Sequence, residues 1–150
     1  MITFRQPIAL DVPVLVSLER TLFELDPWTP GQFKEEIAEI GKSRQYILAI
    51  NDGSIIGYAG MMFVAAGSPA DLLTIAILPD FRGQGLAQAM LAKLESWAKA
   101  KGAPEVILEV DTKNERAIRL YEFARYEKIS TRANYYALGV DALIMRKELT

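Results

Sequence analysis

The segment from Leu72 to Lys101 leaves few ways to fold. An apolar run, Leu72-Leu73-Thr74-Ile75-Ala76-Ile77-Leu78, is stopped by Pro79 and Asp80. A short loop with two glycines follows, Phe81-Arg82-Gly83-Gln84-Gly85. From Leu86 onward apolar residues recur at Leu86, Met90, Leu94, Trp97 and Ala98, one stripe at helical spacing. Gly102 is the C-terminal stop. The order is therefore strand, glycine loop, helix. The first N–H groups of a helix have no partner inside it, and the helix dipole adds positive potential at that end. Glycines let a phosphate approach the backbone, and Arg82 adds a charged donor. A plain strand-to-helix turn also needs glycine for its backbone angles, so the anion site and the simple turn stand as alternatives at this point. A Walker A loop is excluded, because Gly85 is followed by Leu86-Ala87 rather than Lys and Ser or Thr. A dinucleotide fingerprint fits poorly: Gln88 occupies the position of its third small residue, and Pro79-Asp80 separate loop from strand.

Composition narrows the rest. A chain of 150 residues that is 51% apolar and 24% charged has enough apolar material for one folded domain over residues 1–150. A net charge of −2 gives no basic footprint for nucleic acid. The opening Met1-Ile2-Thr3-Phe4-Arg5-Gln6-Pro7 lacks a signal-peptide shape. The longest uncharged stretch, Gly53 to Ala70, is broken by Gly57, Gly60, Gly67 and Pro69, so it reads as strand and loop rather than membrane span. There is no cysteine and no histidine. That removes disulfides, thiolate nucleophiles, the Ser-His-Asp triad and the commonest metal ligands. The expectation is a cytoplasmic protein without a metal, a membrane or a nucleic acid partner, as monomer or homodimer. Its acid–base chemistry must come from carboxylates, tyrosine, lysine or water.

Residues 2–6 alternate as a first strand. Asp11 reads as the cap of a helix with Pro13 in its first turn and Val12, Leu15, Val16 and Phe23 on its apolar side. Thr29 and Gln32 form a capping box with Pro30 at the first helical position, predicting a second helix from Pro30 to Ile40 that stops at Gly41. Trp28, in the loop between them, is either a core anchor or a substrate wall. Tyr46–Ile50 and Ile55–Ala59 flank Asn51-Asp52-Gly53 as a hairpin, with Gly57 and Gly60 weakening its second strand or marking a bend. Val106–Val110 is a strand that follows the central helix, which calls for a crossover connection in the sheet. Thr112 with Glu115, or Asn114, caps a further helix whose apolar face is Ala117, Leu120, Tyr121 and Ala124.

One residue stands out, Glu109. Val106, Leu108 and Val110 face one way, Ile107 and Glu109 the other. A carboxylate in an interior strand is either solvated at a wet strand end or partly buried with a raised pKa, and in the second case it is a general base near neutral pH. Tyr121, on its helix face, reads as a core phenol with a satisfied hydroxyl.

Arg82-Gly83-Gln84-Gly85-Leu86-Ala87 reads as Arg/Gln-x-x-Gly-x-Gly/Ala. It resembles the acetyl-coenzyme A pyrophosphate loop of the GCN5-related N-acetyltransferases (GNAT family). Leu108-Glu109-Val110, Asn114, Ala117-Ile118 and Leu120-Tyr121-Glu122 resemble the second signature of that fold. More narrowly, Pro27-Trp28-Thr29, Asn134-Tyr135-Tyr136 and Asp141-Ala142-Leu143-Ile144-Met145 resemble the RimI-type ribosomal-protein-alanine N-acetyltransferases, so the resemblance covers nearly the whole chain. It implies an α/β fold: a mixed, mostly antiparallel sheet of about seven strands with four helices, closing with strands at Glu127–Tyr136 and Ala142–Arg146, and with the fourth and fifth strands splayed around the cofactor. It implies that Ile75, Ala76 and Ile77 bind pantetheine through backbone groups. Arg82, Gly83, Gln84, Gly85, Leu86 and Ala87 cradle the pyrophosphate, and Asn114 and Tyr121 contact the cofactor. Glu109 is the base through a water, Tyr121 is the acid, and Trp28, Tyr135 and Tyr136 line the acceptor entrance. Two positions depart from the pattern: Ala124-Arg125-Tyr126 replaces Leu-Gly-Phe, and Asp111 stands where arginine is usual.

The chemistry is consistent with that assignment. The acceptor amine must be neutral to attack a thioester, and a protein α-amine, with a pKa of about 7.7–8.0, needs only a mild base. A phenol can protonate the departing thiolate. Direct transfer is expected, since no cysteine can carry the acyl group. Three functions follow: an acetyltransferase of a protein N-terminal α-amine, an acetyltransferase of a small-molecule amine, and a non-catalytic acetyl-CoA-binding regulatory module. Glu24, Asp26, Glu35 and Glu36 would suit a basic peptide, or form only a solvated surface.

Overall fold

The computed structural model describes residues 1–23 and 26–150. Among these, hydrophobic patterning resolves into seven strands and four α-helices. In chain order they are β1 (Ile2–Arg5), α1 (Val12–Leu22), α2 (Pro30–Ala38), β2 (Arg44–Asn51), β3 (Ser54–Met62), β4 (Ala70–Ile77), α3 (Leu86–Lys101), β5 (Glu105–Asp111), α4 (Glu115–Phe123), β6 (Glu127–Ala137) and β7 (Val140–Glu148). The strand order is β1-β2-β3-β4-β5-β7-β6. The pairs β1–β2, β2–β3, β5–β7 and β6–β7 are antiparallel. Strands β4 and β5 are parallel, and their register covers Ala70↔Val106 and Asp71↔Ile107. The chain divides into two compact units: Met1–Met62 with Thr74–Leu94, and Phe63–Leu73 with Glu95–Thr150.

In the first unit the hairpin turn forms as the Asp-Gly signal predicts. Asp52 (φ +49) and Gly53 (φ +83) are both left-handed, the turn geometry that matches strand twist. Gly57 and Gly60 do more than weaken β3. A Cβ on Gly57 would stand 2.7 Å from the Ala76 carbonyl oxygen, and one on Gly60 would stand 2.0 Å from the Tyr46 ring. Both allow neighbours to come close, and β3 continues through them, with a register shift against β2 beside Gly57, where Ala49 pairs with Gly57 and Ile50 with Ile55. The core here is Val12, Leu15, Val16, Phe33, Leu48, Tyr58 and Ala76. The Thr29–Gln32 capping box forms reciprocally, Gln32 N–H donating to Thr29 Oγ1 and Thr29 N–H to Gln32 Oε1. Helix α2 ends two residues earlier than predicted, because Ile40 bridges to Arg44 and Gly41 turns at φ +88.

Asp11 does not cap α1 through its side chain. Its carboxylate accepts two bonds from the Arg5 guanidinium, both 2.9 Å, and one from the Ile8 N–H at 2.7 Å. It thus closes the 3-10 turn Ala9–Asp11 that precedes the helix. A bidentate guanidinium outcompetes a lone helix N–H for the same oxygens. The pairing also holds the Asp11 carboxyl below its ordinary range, the Arg5 hydrogen bonds being the main cause.

In the second unit Val106, Leu108 and Val110 are buried and alternate with half-buried Ile107 and Glu109, as the periodicity predicts. Tyr126 donates to Glu95, which also takes Lys147 Nζ at 2.8 Å. Strand β6 lies at the sheet edge and stays exposed along nearly all its length.

At the departure after α4, Arg125 keeps the turn by adopting φ +75. A non-glycine residue there costs about 1–2 kcal/mol, and glycine's own entropic cost returns about 0.5–1 kcal/mol of that. Arg125→Gly is therefore expected to stabilise the protein by about 0.5–1 kcal/mol, raising the thermal midpoint by about 2–4 °C at the upper end of that range. A melting curve checks it; a lower midpoint would contradict the strain.

Candidate active site

The glycine loop belongs to the first unit. Strand β4 ends at Ile77, and Pro79–Phe81 form a 3-10 turn before the glycines. Arg82 Nε donates to the Ile77 carbonyl at 3.1 Å, so its side chain braces the loop against the strand it leaves. Gly83 (φ +79) and Gly85 (φ +78) are both left-handed, and a Cβ on either would meet nothing within 4 Å. The glycines answer to backbone angle, and the space beside them is open. Gly85 C=O takes the first bond of α3, from Ala89 N–H at 3.0 Å. A loop with open flanks at a helix N-terminus can take a bulky anion such as a pyrophosphate. Ala76 and Ile77 are buried at the end of β4 and Ile75 is half-buried.

Trp28 lies in the same unit. Its N–H donates to Glu19 Oε2 at 2.9 Å, and its ring packs on Phe33 (5.2 Å) and Tyr46 (6.3 Å). Trp28 is thus half-buried against the core of this unit. Glu36, read as surface or peptide contact, is committed elsewhere. Its Oε1 accepts from Arg44 Nε at 2.8 Å and from the Tyr46 hydroxyl at 2.6 Å. Asp26 and Glu35 are exposed, and Glu24 lies outside the described residues.

The acid–base groups gather in the second unit. Glu109 is half-buried on β5. Burial pushes its carboxyl above the ordinary range, the nearby Asp71 carboxylate pushes the same way, and Arg132 pulls against both. Tyr136 is close enough to feel Glu109: burial and that charge push its phenol up to about 12. Tyr121, on α4, is 6% exposed. Burial and the neighbouring Tyr136 raise its phenol well above the ordinary range, so its proton is held throughout neutral pH.

The Tyr121 hydroxyl differs from those of the other buried tyrosines. Tyr46, Tyr58 and Tyr126 each donate to a carboxylate, of Glu36, Glu19 and Glu95. Tyr121 contacts the Tyr126 ring at 5.9 Å, and its hydroxyl has no hydrogen-bond partner among the described residues. Every fully buried polar side-chain atom described does have one. The Tyr121 oxygen is therefore not fully enclosed.

Asn114, rather than Thr112 with Glu115, caps α4: its Oδ1 accepts from Ala117 N–H at 3.2 Å, which leaves the amide Nδ2 as donor. Tyr135 and Tyr136 sit where β6 bulges. Arg132 pairs with Ala142 and Ala137 with Val140, so extra residues crowd onto β6 between them. Their rings meet edge-on at 4.9 Å, each a little over 40% exposed.

The structure thus groups Glu109, Tyr121 and Tyr136 in the second unit, and Ile75–Ile77 with the glycine loop and Trp28 in the first. Sequence reasoning missed Asp71 and Glu19. Asp71 precedes the apolar run that begins at Leu72, whereas β4 begins at Ala70. Glu19 follows Val12, Leu15 and Val16 on one helical face, a signal that was available.

The Acetyltransferase (GNAT) family model matches residues 13–124. The chain belongs to the GNAT acetyltransferase family. It is similar to an uncharacterised protein of Mycobacterium leprae, 36% identical over 142 residues covering 92% of this chain but 38% of that longer protein. It is 32% identical over 142 residues to the N-alpha-acetyltransferase RimI of Mycobacterium tuberculosis, covering 92% of this chain and 87% of that one. Among solved structures, a ribosomal-protein-alanine N-acetyltransferase from Escherichia coli superposes with a TM-score of 0.85 at 27% identity, over 100% of this chain and 95% of the other. The enzyme is an acetyl-CoA-dependent N-acetyltransferase of the GNAT type, and the expected seven-strand, four-helix GNAT architecture is the one observed.

Proposed function

We propose that the enzyme acetylates the N-terminal α-amine of a protein, with an alanine-first, basic ribosomal protein as its acceptor in the cytoplasm. The grouping of Glu109 with the phenols of Tyr121 and Tyr136 carries this reading, and the N-alpha- and ribosomal-protein-alanine acetyltransferases among its relatives support it. Acetyl-CoA supplies an activated thioester. The N–H groups of Gly83 to Ala87 would hold its pyrophosphate, and the backbone of Ile75 to Ile77 its pantetheine.

Glu109 takes the α-amine proton through a water. A carboxylate with a raised pKa is a better base than an ordinary one. Tyr121 keeps its proton until charge develops on the departing sulfur, then gives it up there. Tyr135 and Tyr136, exposed on their bulge, give the acceptor chain an aromatic rim. Thiol release from acetyl-CoA against a panel of N-terminal peptides and small amines tests the acceptor class. Turnover on an alanine-first basic peptide is expected; turnover on polyamines or amino sugars alone would overturn the peptide reading and leave the family unaffected.

A further inference from the structure

Glu109 does not stand alone on its face of the sheet. Residues paired across neighbouring strands share a face, and so do residues two apart on one strand. Asp71 pairs with Ile107, two residues before Glu109 on β5. Glu109 pairs with Ile144, and Asp111 with Ala142, on β7. Ile144 pairs with Ser130 and Ala142 with Arg132 on β6. One face therefore carries Asp71 on one side of Glu109 and Arg132 on the other. Asp71 is half-buried, and no salt bridge or side-chain hydrogen bond is made to it among the described residues. Arg132 lies over the Tyr135 ring at 4.5 Å.

We propose that Asp71 and Arg132 are opposed positioning charges for Glu109, one from β4 and one from β6, which together set the pH at which Glu109 takes a proton. The remaining groups on that face do not supply either charge. On β7 the residue opposite Glu109 is apolar, and Arg146 is tied to Glu105 and Glu148 at 2.9 and 2.8 Å. On β5 itself the Asp111 carboxylate shares the face, but its Oδ1 is turned to the Lys113 N–H and it is not among the charges that shift Glu109. Tyr136, from the β6 bulge, is neutral in the working range. A carboxylate near Glu109 disfavours its ionised form and a guanidinium favours it. The directions found for Glu109 agree, Asp71 raising its pKa and Arg132 lowering it. The proposal rests on Glu109 being the base only for its catalytic consequence; the charge balance is a property of the protein alone.

The test is a pH titration of the full-length protein labelled at the glutamate side-chain carboxyl carbon, followed by NMR. The Glu109 resonance is assigned by its loss in Glu109→Gln. In Asp71→Asn the Glu109 midpoint is expected to fall, and in Arg132→Gln to rise, each by about half to one pH unit. A midpoint that stays put in either variant, or moves the same way in both, would overturn the proposal. The acid limb of kcat/KM for an alanine-first peptide is then measured in the same variants. A limb that tracks the Glu109 midpoint supports Glu109 as base. A limb that ignores it sinks the base assignment while the charge assignment stands on the titration.

Discussion

Glu109→Gln is expected to lower kcat/KM for acetyl transfer by about 10²–10⁴-fold, the span of a lost general base, with the KM for acetyl-CoA little changed. The sign of the pH dependence follows from the raised pKa. In the wild type, activity falls as pH drops through a midpoint above the ordinary carboxylate range, because Glu109 becomes protonated there. In the variant that limb disappears. The acceptor amine titrates too, but it does so identically in both proteins, so the ratio of the two profiles isolates Glu109.

The variant is not expected to be less stable. Burial raises the Glu109 pKa in the folded state, so its ionised form weighs against folding once pH rises past the ordinary carboxylate value. A neutral amide of the same shape removes that penalty, and the thermal midpoint at neutral pH is expected to hold or rise. A variant that lost activity and stability together would instead mark Glu109 as structural.

Tyr121→Phe is the second large effect. The acid role predicts a loss on the order of 10²-fold in kcat, again without loss of stability. The hydroxyl has no acceptor among the described residues, so its removal leaves no orphaned partner. Tyr58→Phe is the control. It would strip a donor from Glu19, a carboxylate only 4% exposed that also holds the Trp28 N–H, and is expected to destabilise by about 1–3 kcal/mol. Steady-state kinetics and melting curves on both variants separate the roles. Tyr121→Phe with wild-type kcat would remove the phenol from the chemistry. Because burial raises the Tyr121 phenol, any alkaline fall in activity that belongs to it lies above the ordinary phenol range.

Much of this architecture was legible because local rules agreed with the global fold. Of the stripe Leu86, Met90, Leu94, Trp97 and Ala98, all but the half-buried Trp97 are buried as the spacing requires. The Asp52-Gly53 turn and the Thr29–Gln32 box formed where their chemistry put them, since both act within a few residues. Glu109 was legible because a carboxylate interrupts an apolar alternation.

What escaped depends on partners distant in sequence. Asp11 has the profile of a helix cap until Arg5 claims both its oxygens. Glu36 reads as surface until Arg44 and Tyr46 converge on it. Gly57 and Gly60 look like strand weaknesses until Ala76 and the Tyr46 ring fill the room a side chain would need. Asp71 gained its meaning only from the register that sets it beside Ile107. The missing glycine at Arg125 was visible, but that arginine would still take the left-handed angle was not.

The most direct test of the central claim is the position of the acetyl group on product. A peptide with a free alanine α-amine and an internal lysine is incubated with the enzyme and acetyl-CoA, and the product is sequenced by mass spectrometry. The account predicts acetyl on the alanine α-amine, with the yield collapsing in Glu109→Gln. Acetyl on the lysine side chain, or a yield indifferent to Glu109, would contradict it.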